Sequence, residues 1–253
     1  EVTVVDANYT GSASGTLTID RAAATVTLGG LVQVYDGLAH AATATTSPAG
    51  LSVGLTYDGS ASAPVNAGGY AVVATVTDPN YLGSASATLV VNKAPATVAL
   101  GGLSQTYDGT PRVATATTVP SGLGLGFTYD STPTAPTGAG TYAVVASVVD
   151  GNYFGSAAGS LVVAKAAATV TPGALTATYD GTPKPATATT TPAGLTVNLT
   201  YDGSATAPTN AGNYAVVATV SNANYAGTAS GTLAIGKATA TVALGGLSAT
   251  YDT

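Results

Sequence analysis

The chain has 253 residues, of which only 7% are charged, and its formal net charge is −6. Six Lys and Arg residues in total are too few for the basic surface that nucleic acid or an anionic membrane attracts. Cysteine is absent, which excludes disulfides and thiolate metal sites. No apolar run approaches the roughly 18–20 residues of a membrane helix. We therefore expect no nucleic-acid partner and no membrane insertion in this segment.

The sequence repeats itself with a fixed period. A Tyr-Asp-Gly motif begins at Tyr35, Tyr107 and Tyr179, which are 72 residues apart, and an Asn-Tyr pair recurs with the same spacing. Because no insertion or deletion disturbs this register, we predict tandem copies of one structural unit. We expect the end of a preceding module at 1–21, three complete modules at 22–93, 94–165 and 166–237, and the start of a following module at 238–253.

Strands are predicted throughout the first complete module, in chain order around 26–28, 31–35, 51–57, 70–76 and 87–91. Leu51, Val53, Leu55 and Tyr57 alternate with small residues, and this period of two places the large side chains on one face. Asp-Gly, Pro-Ala-Gly and Asn-Ala-Gly between these runs are typical of turns. About six or seven short strands in one module predict an all-β fold, a small immunoglobulin-like β-sandwich.

Tyrosine is expected to fill much of the core, because most other apolar residues are small Ala and Val. A buried tyrosine needs a polar partner for its hydroxyl group. The predicted core tyrosines are Tyr35, Tyr57, Tyr70, Tyr81, Tyr107, Tyr129, Tyr142, Tyr153, Tyr179, Tyr201, Tyr214 and Tyr225. An exposed aromatic surface that binds a ligand is the alternative for these residues.

The modules follow one another almost without a linker. The segment 89–100 reads Leu-Val-Val-Asn-Lys-Ala-Pro-Ala-Thr-Val-Ala-Leu, so the closing strand runs nearly into the next opening strand. We expect a stiff head-to-tail rod, in which each module spans about 30–40 Å at about 3.3 Å per strand residue. A basic residue stands at each predicted junction, where a charge contact or salt bridge is favoured over an isopeptide bond: Arg21, Lys93, Lys165 and Lys237.

Few residues could carry chemistry. His40 is the only histidine, it has no counterpart in the other modules, and we expect it in a surface loop. Asp36, Asp58 and Asp78 are weak calcium candidates, since calcium requires six to eight oxygen ligands and no Asp-x-Asp-x-Asp cluster occurs. Capping of their own turns is the favoured role for these aspartates. We predict no catalytic residue, no resident metal and no cofactor.

The ordered motifs resemble a known family of repeats. In the first complete module they are Tyr35–Gly37, Pro48–Leu51, Tyr57–Gly59, Ala63–Tyr70 and Asn80–Gly83. A closing Gly-Thr-Leu-x-Ile-x-Lys-Ala element is clearest at Gly231–Ala238. Together they resemble the MBG, or mostly bacterial Ig-like, repeat and the related YDG repeat, and the resemblance covers the whole chain. It implies large bacterial surface or secreted proteins, often adhesins, and an extracellular location.

A structural role is the favoured function. Repetition, stiffness and low reactivity suit a stalk, spacer or filament segment of a large bacterial surface protein, and an enzyme is not expected. Direct adhesion to host or environmental ligands is one alternative, and self-assembly into an extracellular fibre is another. The expected partners are neighbouring modules of the same chain and, in a fibre, identical chains.

Overall fold

The computed structural model describes residues 1–246 and 248–252, and in these residues the regular structure is β-strand throughout, with no helix. The all-β prediction is confirmed. Residues 1–21 contribute β1 (Val2–Thr3) and β2 (Ser12–Ala13), which pair antiparallel. The first complete module contains β3 (Ala22–Ala23), β4 (Thr25–Gly29), β5 (Val32–Val34), β6 (Thr43–Ser47), β7 (Val53–Tyr57), β8 (Gly68–Val76), β9 (Tyr81–Leu82) and β10 (Ser84–Asn92).

The same strands recur in the next two modules. The second contains β11 (Ala94–Pro95), β12 (Thr97–Gly101), β13 (Ser104–Thr106), β14 (Thr115–Val119), β15 (Leu125–Tyr129), β16 (Gly140–Val148), β17 (Tyr153–Phe154) and β18 (Ser156–Ala164). The third contains β19 (Ala166–Ala167), β20 (Thr169–Gly173), β21 (Thr176–Thr178), β22 (Thr187–Thr191), β23 (Val197–Tyr201), β24 (Gly212–Val220), β25 (Tyr225–Ala226) and β26 (Thr228–Gly236).

The larger sheet of the first module has the strand order β5-β10-β8-β7. Strand β8 pairs antiparallel with both β7 and β10, whereas β5 runs parallel to β10. The antiparallel pair β4–β6 forms the opposing layer, and β3 and β9 form a short parallel pair. The order β7-β8-β10 corresponds to strands C, F and G of an immunoglobulin domain, and β4–β6 corresponds to strands A and B.

Alternation along the strands builds the core between the two layers. In β8, Val72 and Ala74 are fully buried, and on the neighbouring strand β10 Leu89 faces the same interior. Leu28 of β4 packs against these residues from the opposing layer. The third module repeats this arrangement, with sheets β21-β26-β24-β23 and β20–β22. The largest fully buried side chains are therefore leucine and valine, and alanines such as Ala74 fill the remaining interior positions.

One tyrosine per module lies entirely in the core: Tyr57, Tyr129 and Tyr201, each at most 4% exposed. The hydroxyl oxygen of Tyr57 accepts a hydrogen bond of 2.9 Å from the backbone N–H of Ala42. Equivalent bonds join Tyr129 to Ala114 at 2.9 Å and Tyr201 to Ala186 at 2.8 Å. This bond satisfies two buried polar groups at once and fixes the segment before β6, β14 and β22 against the larger sheet.

The structure contains eight strands in residues 22–93, and the sequence prediction missed three of them. Strand β6 consists of Thr, Ala and Ser, so no alternation of large and small side chains reveals it. Strands β3 and β9 contain two residues each, which is too short for any periodicity. Their pairing explains Gly83, because a Cβ atom at this position would clash with the carbonyl oxygen of Ala24.

The chain divides into two compact units. The first comprises Glu1–Val98, Thr118–Leu125 and Ser147–Ser156, and the second comprises Ala99–Thr117, Gly126–Ala146 and Ala157–Thr253. The residues that join the first two complete modules lie in the first unit. The residues that join the second and third modules lie in the second unit. Each junction thus belongs to a single unit.

Candidate functional site at the module junctions

Each junction is built on a turn that presents an asparagine and a tyrosine, which we call the Asn-Tyr turn (150–153 and 222–225). In the first of these turns the carboxylate oxygen Oδ1 of Asp150 accepts hydrogen bonds from the backbone N–H of Asn152 at 2.7 Å and Tyr153 at 2.9 Å. Tyr153 and Phe154 then pair with Ala94–Pro95 as parallel strands. The turn is thus anchored both by its own aspartate and by the strand that enters the module.

The preceding module receives this turn with the loop before β8. The Tyr70 hydroxyl donates to the carbonyl oxygen of Asn66 at 2.8 Å and holds that loop in place. The side-chain oxygen Oδ1 of Asn152 accepts a 2.8 Å hydrogen bond from the N–H of Ala67. Its amide nitrogen Nδ2 donates to Oδ1 of Asn66 at 3.1 Å. One side chain therefore bonds to both the backbone and a side chain of the preceding module.

An aromatic pair supplies the apolar part of the junction. The rings of Tyr35 and Tyr153 lie with their centroids 5.3 Å apart and their planes at 84°, an edge-to-face arrangement. Such a pair contributes about 0.5–1.5 kcal/mol beyond the burial of its surface. Tyr35 thus spans two environments, because it packs partly on its own core and partly on the next module.

A lysine in the connecting segment makes the third contact between the two modules. Strand β10 ends at Asn92 and β11 begins at Ala94, so Lys93 alone connects them. Its ammonium group donates to the backbone carbonyl oxygen of Asp150 at 2.6 Å. The predicted charge contact at the junction is thus a charge-assisted hydrogen bond to a carbonyl group rather than a salt bridge. Such a bond does not require an aspartate, because every residue offers a backbone carbonyl.

The second junction repeats these contacts with a different residue in the turn. Asn224 Oδ1 accepts from the N–H of Ala139 at 2.8 Å, and Lys165 donates to the carbonyl oxygen of Asn222 at 2.7 Å. The rings of Tyr107 and Tyr225 again lie 5.3 Å apart, at 80°. The loop residue at the position of Asn66 is here a glycine, so the amide-to-amide bond has no counterpart. Three contacts therefore recur: asparagine to backbone, lysine to carbonyl, and tyrosine to tyrosine.

The remaining predicted tyrosines do not all lie in the core. Most are half-buried: Tyr35, Tyr70, Tyr81, Tyr107, Tyr142, Tyr153, Tyr214 and Tyr225. The core prediction is wrong for Tyr179, which is 40% exposed. Its position corresponds to that of Tyr35 and Tyr107, whose rings pack against the next Asn-Tyr turn. The predicted junction residues Arg21 and Lys237 are both exposed.

Two of the three calcium candidates cap their own turns, and the third, Asp58, bonds to the neighbouring strand β8. Asp36 Oδ1 accepts from the N–H of Leu38, and Asp78 Oδ1 accepts from the N–H of Asn80, both at 2.8 Å. Asp58, with a φ of 47°, accepts a 2.8 Å bond from the N–H of Ala71. Among the described residues, no group of three or more His, Cys, Asp or Glu side chains is placed to hold a metal ion.

His40 is buried, 5% exposed, so the expectation of a surface loop is wrong. Its Nδ1 atom lies 2.8 Å from Oε1 of Gln33. The amide nitrogen of Gln33 donates to the carbonyl oxygens of Gly30 and Ala41, each at 3.0 Å. This fixes the amide orientation, so Nδ1 carries the hydrogen and donates to Oε1. The other ring nitrogen, Nε2, lies 3.3 Å from the carboxylate of Asp36.

Arg112 and Lys184 occupy the same position in the other modules and form ion pairs within their own turns. Arg112 lies 2.6 Å from Oδ2 of Asp108, and Lys184 pairs with Asp180. Hydrogen bonds from Thr110, followed by Arg112, lower the pKa of the Asp108 carboxyl. A hydrogen bond from Lys184 is the largest cause of the lowered pKa of Asp180. These contacts belong to the turns and not to the junction.

The sequence prediction did not identify the asparagine of the Asn-Tyr turn. Asn152 and Asn224 make the hydrogen bonds to the preceding module, whereas only their tyrosine neighbours were predicted to be structural. The available signal was the recurrence of the pair at the fixed spacing. It did not show that the asparagine faces another module, because its partner lies 85 residues away in each case.

The fold and the repeated junctions define a tandem-repeat protein of immunoglobulin-like β-sandwich modules. The model of the family described as "MBG domain" matches residues 1–23, 24–95, 96–167 and 168–239. The chain belongs to the MBG domain family, as the motifs predicted. These limits fall two residues after the predicted module boundaries.

Other comparisons are more distant. A solved structure, "Sidekick-1 immunoglobulin domains 1-5", is 15% identical, with a TM-score of 0.31, and the match covers 83% of this chain and 58% of that one. The chain therefore spans less than two thirds of that structure's length. No protein with a curated description matches significantly. Within the described residues, no helix has both the length and the apolar character to cross a membrane.

Proposed function

We propose that this chain is a structural segment that forms a stiff, head-to-tail spacer in a large extracellular bacterial protein. The observation that carries the proposal is the recurrence of one junction, in which a single lysine connects two modules that also dock on each other. Lys93 and Lys165 are each the sole residue between the closing strand of one module and the opening strand of the next. The hydrogen bonds of Asn152 and Asn224 restrict bending at these connections.

The composition supports an extracellular, non-enzymatic role. The chain contains no Cys and no Met, so oxidation of sulfur cannot alter it. Asp36 caps its own turn, and the single histidine is buried against Gln33. A spacer needs little more than repeated folding units and resistant connections, and membership of the MBG family favours a surface or secreted protein.

Small-angle X-ray scattering of the 253-residue chain at low concentration tests the stiffness of the connections. We expect a pair-distance distribution with regularly spaced shoulders, which is typical of an extended row of modules. Insertion of Gly-Ser-Gly-Ser between Lys93 and Ala94 should remove the shoulders and broaden the distribution, because the junction contacts lose their short tether.

The matched control places the same four residues between Gly245 and Gly246, outside the complete modules. This insertion should leave the shoulders unchanged. If the unmodified chain already scatters like freely jointed modules, or if the two insertions have the same effect, the proposed spacer is wrong.

A further inference from the structure

The segment that enters a module is paired directly with the strand that leaves it. In the first module, β5 runs parallel to β10 and pairs with its last three residues, 90–92. The N–H of Val90 donates to the carbonyl oxygen of Leu31 at 2.8 Å, and the N–H of Tyr35 donates to that of Asn92 at 2.9 Å. We call this pairing of residues 31–35 with residues 90–92 the parallel clamp.

The same pairing occurs in the other complete modules, where β13 runs parallel to the end of β18 and β21 runs parallel to the end of β26. In the third module the N–H of Ala234 donates to the carbonyl oxygen of Leu175, and that of Tyr179 donates to Gly236, both at 2.9 Å. The side chains of the three short strands differ: Val-Gln-Val, Ser-Gln-Thr and Thr-Ala-Thr. The feature that recurs is therefore the backbone pairing itself.

The chain enters and leaves the first module at opposite ends of β10. The entrance strand β3 pairs in parallel with β9, which ends one residue before β10 begins, whereas Lys93 directly follows the last residue of β10. The nine residues of β10 span about 30 Å. A force that separates the two ends of the module therefore acts along β10. It pulls β10 towards its C-terminal end and pulls the entrance segment in the opposite direction.

The direction of the force decides how the hydrogen bonds between two strands break. When an antiparallel pair is pulled apart at its open end, the residue pairs separate one after another. When two parallel strands are pulled in opposite directions along their axes, all the bonds between them are loaded together. The strands β3 and β4 precede β5 along the chain, with two and five residue pairs. The parallel clamp is thus the last pairing that must break before the entrance segment separates from β10.

We propose that the parallel clamp resists tension along the chain, so that each module transmits force to its neighbours without unfolding. The inference rests on the proposed spacer function, because a segment is placed under tension only when both of its ends are attached. The two are tested separately. Scattering measures the stiffness of the connections without any applied force, so a module that unfolds readily under tension leaves the spacer proposal standing.

Force spectroscopy of the full chain, held by its two termini at constant force, tests the clamp, since forced unfolding depends on the unfolding rate. We expect three discrete unfolding steps of about 220 Å each. Tyr179→Pro removes the N–H that donates to Gly236, and Tyr179→Ala is the matched control, because it removes the same ring and keeps the N–H. One step should be about 2- to 10-fold faster in the proline variant than in the alanine variant. The other two steps should be the same in both.

Tyr201→Phe separates resistance to force from stability. It removes the buried hydrogen bond between Tyr201 and Ala186, which lies outside the clamp and stays formed while β21 separates from β26. The substitution should lower the stability of the third module, measured by hydrogen exchange. It should change the unfolding rate under force by less than about 2-fold, because the lost bond is also made in the transition state.

A second pulling direction tests the clamp without altering it. The chain contains no Cys, so Asn198→Cys and Thr219→Cys supply unique attachment points on two exposed, opposite residues near the open end of the β23–β24 pair. Force applied there separates the pairs one at a time, and the third module should unfold faster than under the same force applied through the termini. If Tyr179→Pro prevents this module from folding, the comparison of directions decides.

Three results would each overturn the proposal. The first is equal unfolding rates of the third module in the two pulling directions. The second is equal rates for folded Tyr179→Pro and Tyr179→Ala chains. The third is an acceleration by Tyr201→Phe as large as that by Tyr179→Pro, which would show that the force measures only the stability of the module.

Discussion

The two Tyr-Asp pairs of each module have the same sequence and different roles. Tyr57 ends β7 inside the sandwich, where its ring is buried and its hydroxyl accepts from the N–H of Ala42. Tyr35 follows β5 at the end of the module, where its ring meets the edge of Tyr153. The pair at Tyr57 stabilises a module, and the pair at Tyr35 joins two modules. The place of the pair in the sheet order, and not the dipeptide itself, decides which role it has.

The aspartates of the two pairs differ in the same way. Asp58 adopts a positive φ of 47° and forms a tight hairpin turn with Gly59, which has a φ of 85°. Its side chain also accepts from β8 through the N–H of Ala71. Asp36 instead caps Leu38, two residues further on. One aspartate thus fixes the β7–β8 hairpin, and the other shapes the loop beside the junction.

The largest test of this difference compares the two tyrosines of the third module. Tyr201→Ala removes a ring that is 4% exposed, and we expect it to lower the free energy of unfolding of that module by about 3–5 kcal/mol. Tyr179→Ala removes a ring that is 40% exposed and should lower the same quantity by less, about 1–2 kcal/mol. Hydrogen–deuterium exchange of β24 and β26 reports both values for this module alone.

Equal effects of the two substitutions would contradict the comparison. Exchange in β8 and β10 of the first module provides the internal control, because neither substitution touches that module. A change there would show that the modules unfold together.

A smaller test removes only the hydroxyl groups. Tyr201→Phe leaves the N–H of Ala186 buried without its acceptor, and this should cost about 1–3 kcal/mol in the stability of the third module. Tyr179→Phe should be close to neutral, since that ring is exposed. Denaturant titration followed by exchange in β22, which Ala186 precedes, measures the difference. If Tyr201→Phe is also neutral, the hydroxyl bond does not hold the segment before β22.

The sequence predicted the sandwich where large and small residues alternate. An alternating row indicates β7: Leu51, Val53, Leu55 and Tyr57. Similar rows indicate β8 and β10, because successive side chains of a strand point to opposite faces of the sheet. It did not reveal β6, where Thr, Ala and Ser are all small. A strand of this kind is fixed by its pairing with β4, and that pairing depends on the fold as a whole.

The junction was only partly predictable for a related reason. Lys93 was expected at the junction from its position in the repeat, but its carbonyl partner at Asp150 lies 57 residues away. Tyr179 was expected in the core because it shares its motif with Tyr35. The repeat shows that two residues are equivalent within their modules. It does not show which of them is covered by a neighbour.

The junction itself can be tested with Asn152→Ala. This change removes the acceptor for the N–H of Ala67, and we expect a loss of about 0.5–1.5 kcal/mol in the docking of the two modules. Faster exchange at Ala67, without a change in the core strands β8 and β10, would identify a loss confined to the junction. Asn80→Ala is the control, since Asn80 is exposed. Faster exchange throughout β8 would instead place Asn152 among the residues that stabilise the module.

The smallest expected effect concerns the hairpin turn after the buried tyrosine of the second module. Ser131 has a φ of 68°, where the equivalent residues Gly59 and Gly203 have a φ of 85°. A positive φ costs a residue with a side chain about 1–2 kcal/mol relative to glycine. Glycine keeps only part of this advantage, because folding restricts its greater conformational freedom in the unfolded chain. Ser131→Gly should therefore stabilise the second module by about 0.5–1 kcal/mol, measured by exchange in β16. Gly203→Ser should destabilise the third module by a similar amount, because a Cβ atom there meets nothing within 4 Å and only the backbone responds. If Gly203→Ser stabilises the third module, backbone strain at this turn does not make the second module less stable than the third.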